Sequence, residues 1–135
     1  AYQDIIDFAG VKGELGKVVA GGAMMGPAVE NLSYPTTKTT SGLIMLSEAT
    51  AQPPQVNPCI RCGRCVEYCP MGLEPVEVNQ AYAARDVQEL GKLHVDYCFN
   101  CGSCTFVCPA KRPCTQMMGL AKAFYLGEIK KGGNK

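Results

Sequence analysis

The 135-residue chain has a single histidine, no long apolar run and neither of the common nucleotide-binding loops. Each absence removes a class of function. One histidine, His94, cannot supply the two imidazoles of a Rieske-type cluster. Crossing a bilayer as a helix takes about 18 or more consecutive apolar residues. The most apolar stretch, Val18 to Val29, is shorter and is broken by Gly21, Gly22, Gly26 and Pro27. Work at a membrane would therefore need partners to hold the chain there. The glycine-rich segment 16–26 (GKVVAGGAMMG) matches neither G-x-x-x-x-G-K-[ST] nor G-x-G-x-x-G, so it offers no phosphate cradle. No Ser/His/Asp set and no acid pair suggests hydrolysis. The formal charge is +1, which makes no case for nucleic acid. No secretory signal is visible, so the nine cysteines speak for a reducing, cytosolic setting rather than a disulfide framework.

Eight of those cysteines form two copies of one pattern. Residues 59–70 read CIRCGRCVEYCP and residues 98–109 read CFNCGSCTFVCP. Both are C-x2-C-x2-C-x3-C-P, the signature of bacterial ferredoxins with two [4Fe–4S] clusters. Structural zinc uses paired C-x2-C knuckles and does not account for two intact runs, each closed by proline. Three cysteines spaced by two residues can curl around one face of a cubane and ligate three irons. The fourth ligates the other cluster in proteins of this pattern. The expected assignment is Cys59, Cys62, Cys65 and Cys108 on cluster 1, with Cys98, Cys101, Cys104 and Cys69 on cluster 2. Crossed ligands would bring the clusters close enough to exchange single electrons. Two oxidised cores with eight thiolates add about −4, taking the loaded chain to roughly −3.

The neighbours suit that role. Gly63 and Gly102 occupy the same place in each run, where a residue without Cβ lets amides point at cluster sulfurs. Pro70 and Pro109 end each ligand loop. Ile60, Val66, Tyr68, Phe99, Phe106 and Val107 are expected to form an apolar jacket, since burial is a lever on reduction potential.

The rest of the chain divides in two. Residues 1–50 hold no cysteine. Asp4 to Ala9 reads as a short helix stopped by Gly10, and Lys17 to Ala20 and Gly42 to Leu46 read as strands. Thr36 to Ser41 is either loop or edge strand. Residues 1–55 carry five acids against three lysines, a formal charge of −2. A proline-rich linker at 51–58 is extended, and the cysteine-bearing part, 59–135, follows. Pro75 opens a predicted helix on which Val76, Ala83, Val87 and Leu90 recur, with Gly91 at its end. A second helix is predicted from about Cys114 to Lys131, with Met117, Met118, Leu120, Ala121, Phe124, Tyr125 and Ile129 on its apolar face. Gly132-Gly133 is expected to end it, with a disordered tail behind. Helices around the cysteine runs point to an α-helical ferredoxin-like domain. The runs repeat with a period of 39 residues, each followed by a proline (Pro75, Pro113) ahead of a helix, which suggests two half-domains about a pseudo-twofold axis.

Other residues carry weaker signals. Cys114, outside both runs, reads as a small buried residue, with a spare ligand or reactive thiol as the alternative. His94 reads as a surface or capping residue. Arg61, Arg64, Lys111 and Arg112 read as a solvated face, or as a positive rim that tunes potential or steers an acidic electron carrier.

The strings GKVVAGGAMMGPAV, TSGLIML, PCIRCGRCVEYCPMGL and YCFNCGSCTFVCPAKRP, in that order, closely resemble the C subunit of the Rnf ion-translocating electron-transport complex. The resemblance covers almost the whole chain. It implies an α+β architecture: a partial β-grasp segment of the SLBB (soluble-ligand-binding) type at 1–50, then the two-cluster ferredoxin domain. It also implies a peripheral subunit on the cytoplasmic side of the membrane. Its partners would be other subunits of a complex that couples electron transfer between ferredoxin and NAD to ion pumping, with soluble ferredoxin as a further partner. Longer members of that family carry flavin- and NADH-binding domains ahead of the β-grasp. This chain resembles only their C-terminal part, so no flavin or NAD site is expected in it. It is expected to be an electron-transfer subunit without a complete active site. An iron–sulfur module of a soluble SLBB-containing oxidoreductase similar to cobalamin reductases, or a scaffold with structural clusters, are the alternatives.

Overall fold

In the computed structural model, which describes residues 1–132, the chain forms two compact units that divide between Pro54 and Gln55. Together they make a mixed α+β chain: a small antiparallel sheet in the first unit and short helices in the second.

The first unit opens on α1 (Tyr2–Ala9), followed by β1 (Leu15–Ala20), β2 (Leu43–Ser47) and α2 (Glu48–Ala51). β1 buries the adjacent Val18 and Val19 while Lys17 faces out. β1 and β2 pair antiparallel, with Val18 opposite Met45 and Val19 opposite Ile44, and a bulge lies between Leu15 and Lys17. The predicted strands are both present, each shifted or extended by a residue or two. Residues 36–41 are loop and turn rather than an edge strand. Backbone bonds from Tyr2 to Tyr34 (3.1 Å) and Gln3 to Leu32 (3.0 Å) tie the start of α1 to that long connection. Ile6 is the one α1 residue that is buried.

The second unit begins with an extended segment, consistent with its prolines, and then runs α3 (Arg64–Glu67), α4 (Pro75–Ala83), α5 (Val87–Lys92), a 3-10 turn (Val95–Tyr97), α6 (Ser103–Phe106) and α7 (Cys114–Gly132). Its core is built from Val78, Leu90, Val95, Met118 and Ala121, all almost fully buried. Tyr82 and Phe124 meet edge to face at 5.8 Å, and the Arg85 guanidinium lies 4.9 Å from both rings.

The single helix predicted after Pro75 is two helices. The Asp86 amide donates to the Ala81 carbonyl (3.0 Å) and the Arg85 amide to that of Tyr82 (3.0 Å). Arg85 sits at φ 56°. This is a Schellman ending with a non-glycine left-handed residue. The Asp86 carboxylate then accepts from the Glu89 amide at 2.9 Å, starting α5. The buried face of the pair is accordingly Val78, Ala81 and Leu90, while Ala83 is exposed. Gly91 does not end a helix. It lies within α5 where Tyr125 packs, and a Cβ there would come 3.0 Å from the tyrosine oxygen. The stop falls at His94, at φ 51°, stacked on Tyr97 at 5.2 Å.

α7 runs as predicted, but of its expected apolar face Leu120 and Ile129 are largely exposed. Gly132 is its last residue, and the predicted disordered tail lies outside the described residues. Among the described residues no helix is long and apolar enough to cross a membrane.

Candidate metal centre

Each cysteine run folds into the same local shape, and the 39-residue repeat is visible in the backbone. Gly63 and Gly102 are both left-handed, at φ 77° and 88°, and each starts a one-turn helix. Arg61 and Asn100 match at φ 52° and 56°, and Gly72 and Lys111 at φ 65° and 54°. Amide-to-carbonyl bonds recur too: Glu67 to Gly63 and Phe106 to Gly102, Gly72 to Cys69 and Lys111 to Cys108. α4 and α7 begin at equivalent positions, Pro75 and Cys114. The structural counterpart of Pro75 is therefore Cys114, not the neighbouring Pro113. The alternating left-handed residues curl each loop so that successive cysteines turn toward one side.

The eight cysteines surround two cavities. One, of about 280 Å³, is lined by Cys59, Cys62, Cys65 and Cys108. A narrower one, of about 20 Å³, is lined by Cys69, Cys98, Cys101 and Cys104. Three members of one run thus share each space with the last member of the other. The sulfurs ring a space rather than converge on a point, and among the described residues no three metal-binding groups are placed to grip a single ion. Four cysteines of the two runs around each cavity, with Cys114 besides at the first, are enough to give each iron of a cubane one ligand. The residues present fit that group.

Polar contacts to the sulfurs are in place. The Arg61 amide donates to Cys59 Sγ (3.4 Å) and the Leu73 amide to Cys69 Sγ (3.3 Å). Ser103 Oγ lies 3.4 Å from Cys101 Sγ, and Thr115 Oγ1 lies 3.4 Å from Cys104 Sγ. Thr115 is fixed by Thr105, whose hydroxyl lies 2.8 Å from both its amide and its own hydroxyl. Thr115 is not marked in the sequence pattern; a polar residue one position into a helix gives no signal of a sulfur eleven residues back.

Burial differs between these cysteines. Cys59 and Cys62 are exposed, while Cys65 and Cys104 are buried. Burial, then the neighbouring Cys104 sulfur, raises the Cys65 thiol above its ordinary range. Burial also raises Cys104, against the lowering effect of Thr115. Metal binding must therefore displace firmly held protons from these two sulfurs. Cys114 is buried as expected, yet it lines the first cavity as a fifth sulfur. Burial and the adjacent Cys108 push its thiol up to about 12.

The predicted apolar jacket is corrected by the structure. Ile60, Tyr68, Phe99 and Phe106 are half or more exposed, and Val66 is 38% exposed. In these tight loops Cys65 and Cys104 take the buried positions, and most of the apolar neighbours are turned out, Val107 alone of the six being half-buried. Of the expected jacket, Ile60 does border the first cavity despite its exposure; the further apolar walls come from Val76 and Met117 there and from Leu73, Pro75 and Met118 at the second. His94 stands away from both cavities, beside Tyr97.

Residues 58–111 match the family of 4Fe-4S dicluster domains. This segment is a dicluster domain. The chain accordingly carries two [4Fe–4S] clusters. It is 40% identical over 77 residues to the C subunit of an ion-translocating oxidoreductase complex of Rhodobacter capsulatus, covering 57% of this chain and 15% of that one. It is 44% identical over 75 residues to the C subunit of a proton-translocating ferredoxin:NAD(+) oxidoreductase complex of Clostridium ljungdahlii, covering 55% and 16%. It is 37% identical over 87 residues to the corresponding protein of a Na(+)-translocating complex of Acetobacterium woodii, covering 64% and 19%. The resemblance to the Rnf C subunits is borne out over the cysteine-bearing part, and the chain spans less than a fifth of these relatives' length.

Proposed function

We propose that this chain relays single electrons through its two clusters as part of the C subunit of a membrane-associated, ion-translocating ferredoxin:NAD oxidoreductase complex. The observation that carries the reading is the pair of four-cysteine cavities built into one core. Bound there, each cubane would supply reversible one-electron storage. The chain's own part is to ligate it, to aim amides and hydroxyls at its sulfurs, and to exclude water with Val76, Met117, Leu73 and Met118.

Cluster 1 is held by Cys59, Cys62, Cys65 and Cys108, and cluster 2 by Cys98, Cys101, Cys104 and Cys69. This crossing makes the two halves of residues 59–135 one unit and shortens the path between clusters. Residues 1–50 form part of an SLBB-type β-grasp, joined by the linker at 51–58; the β1–β2 pair and α1 suit it. The protein sits peripherally on the cytoplasmic face of the membrane, held by partner subunits, and exchanges electrons with ferredoxin or a neighbouring subunit. The similarity to relatives named as subunits of such complexes supports these assignments.

The crossed assignment is tested by serine substitution and EPR of the reduced, cluster-loaded chain. Cys108→Ser is expected to alter the same spectral component as Cys59→Ser, and Cys69→Ser the same one as Cys98→Ser. If Cys108→Ser instead alters the component that Cys98→Ser alters, the crossing is wrong.

A further inference from the structure

The two halves of the cysteine-bearing unit share a backbone but not a charge pattern. Four cations border the first cavity. Arg64 and Arg112 line it, Arg61 lies between the lining residues Ile60 and Cys62, and Lys111 lies between Ala110 and Arg112. The 39-residue repeat gives each a neutral counterpart: Asn100 for Arg61, Ser103 for Arg64, Gly72 for Lys111 and Leu73 for Arg112. No charged residue lines the second cavity, and Glu74 lies between its lining residues Leu73 and Pro75. Lys122, near that cavity, gives its ammonium to the Cys98 carbonyl at 2.7 Å.

Three further observations bear on what the cations do. Among the described residues, none of the four joins an ion pair. Arg61 and Lys111 both occupy left-handed backbone, a conformation that glycine or asparagine takes at less cost, and those are the residues their counterparts use. The same margin exposes Cys59, Cys62 and Ile60, the last at 68%. The counterparts Cys98 and Cys101 are half-buried. An apolar centre inside a charged rim, over the more exposed ligands, has the layout of a transient protein interface.

We propose that the margin of the first cavity is the docking face for a small acidic electron-carrier protein, which exchanges electrons with this chain through cluster 1. The proposal rests on the relay reading. Four cations facing a carboxylate-rich surface would orient the encounter and raise its rate, most at low ionic strength. Their neutral counterparts leave the second cavity free for the onward route.

The test uses the cluster-loaded chain, an acidic bacterial ferredoxin as the probe and stopped-flow mixing. Arg61→Asn combined with Lys111→Gly borrows the residues of the other half, so the backbone is respected. We expect this pair to slow electron exchange with ferredoxin by about tenfold at low salt and to flatten the salt dependence. Arg61→Glu with Lys111→Glu should slow it further, while Lys130→Glu on α7 should leave it unchanged. Reduction by a small neutral photoreductant should be the same in all. Ferredoxin rates insensitive to the charge changes would overturn the docking face alone. So would a slowing explained by a shift in the cluster 1 potential, which would make the cations tuning groups. If the photoreductant reduces neither cluster in the unaltered chain, the relay reading itself fails.

Discussion

Met118 couples the core to the second cluster site, so Met118→Ala should loosen one cluster more than the other. The side chain is 1% exposed, packs in the cluster of Leu90, Val95 and Ala121, and forms part of the wall of the narrow cavity lined by Cys69, Cys98, Cys101 and Cys104. Truncating a buried methionine to alanine costs about 2–5 kcal/mol. A small domain has only about 5–15 kcal/mol in total, so the loss is a large fraction. Even 2 kcal/mol raises the open fraction roughly 30-fold, at about 1.4 kcal/mol per factor of ten. The void would also adjoin the narrower cavity and admit water to it. The assay is anaerobic iron release to a chelator, with EPR to say which cluster is lost first. Met118→Ala should release iron on the order of 30 times faster, from cluster 2 first. Leu120→Ala, on the same helix but 53% exposed, should be within about 0.5 kcal/mol of the unaltered protein. Equal release from the two variants would refute the idea that this core and this site are one packed body.

Three further outcomes follow from particular residues. Gly63 holds left-handed backbone at φ 77°, so Gly63→Ala should cost at least about 1–2 kcal/mol, read as a lowered anaerobic melting temperature. Gly63→Asn should cost less. Asp86→Ala removes the cap of α5 and should lower stability by about 1 kcal/mol in a denaturant titration, with Asp86→Asn recovering most of it. Cys114→Ala should keep both clusters, because the proposed crossed ligand sets are complete without it. Loss of about half the iron would instead make Cys114 a ligand.

Much of this was legible in the chain because local chemistry decides it. The cysteine spacing and the matched glycines forced a repeated loop, and the backbone angles at 63 and 102 agree. α1 ends at Gly10, β1 stops at Gly21, and β2 starts after Gly42 on a short apolar run. What was not legible depends on tertiary choice. The break at Ala84–Asp86 hides in an apolar pattern that suits one long helix, and the Asp86-to-Glu89 cap was the available signal. The residues beside the cysteines look like core by composition, but Cys65 and Cys104 take the buried positions and leave Tyr68 and Phe106 outside. The place of Cys114 at the first cavity follows from the start of α7, one residue after Pro113, which the proline pattern alone put out of register.

The central claim is that two cubanes lie close together in one unit and pass single electrons. Anaerobic reconstitution, iron and sulfide analysis, and EPR of the dithionite-reduced chain test it most directly. The account predicts about eight iron and eight sulfide per chain, with the spin-coupled signals of two nearby reduced clusters. About four iron or fewer, zinc in their place, or two uncoupled signals would contradict it.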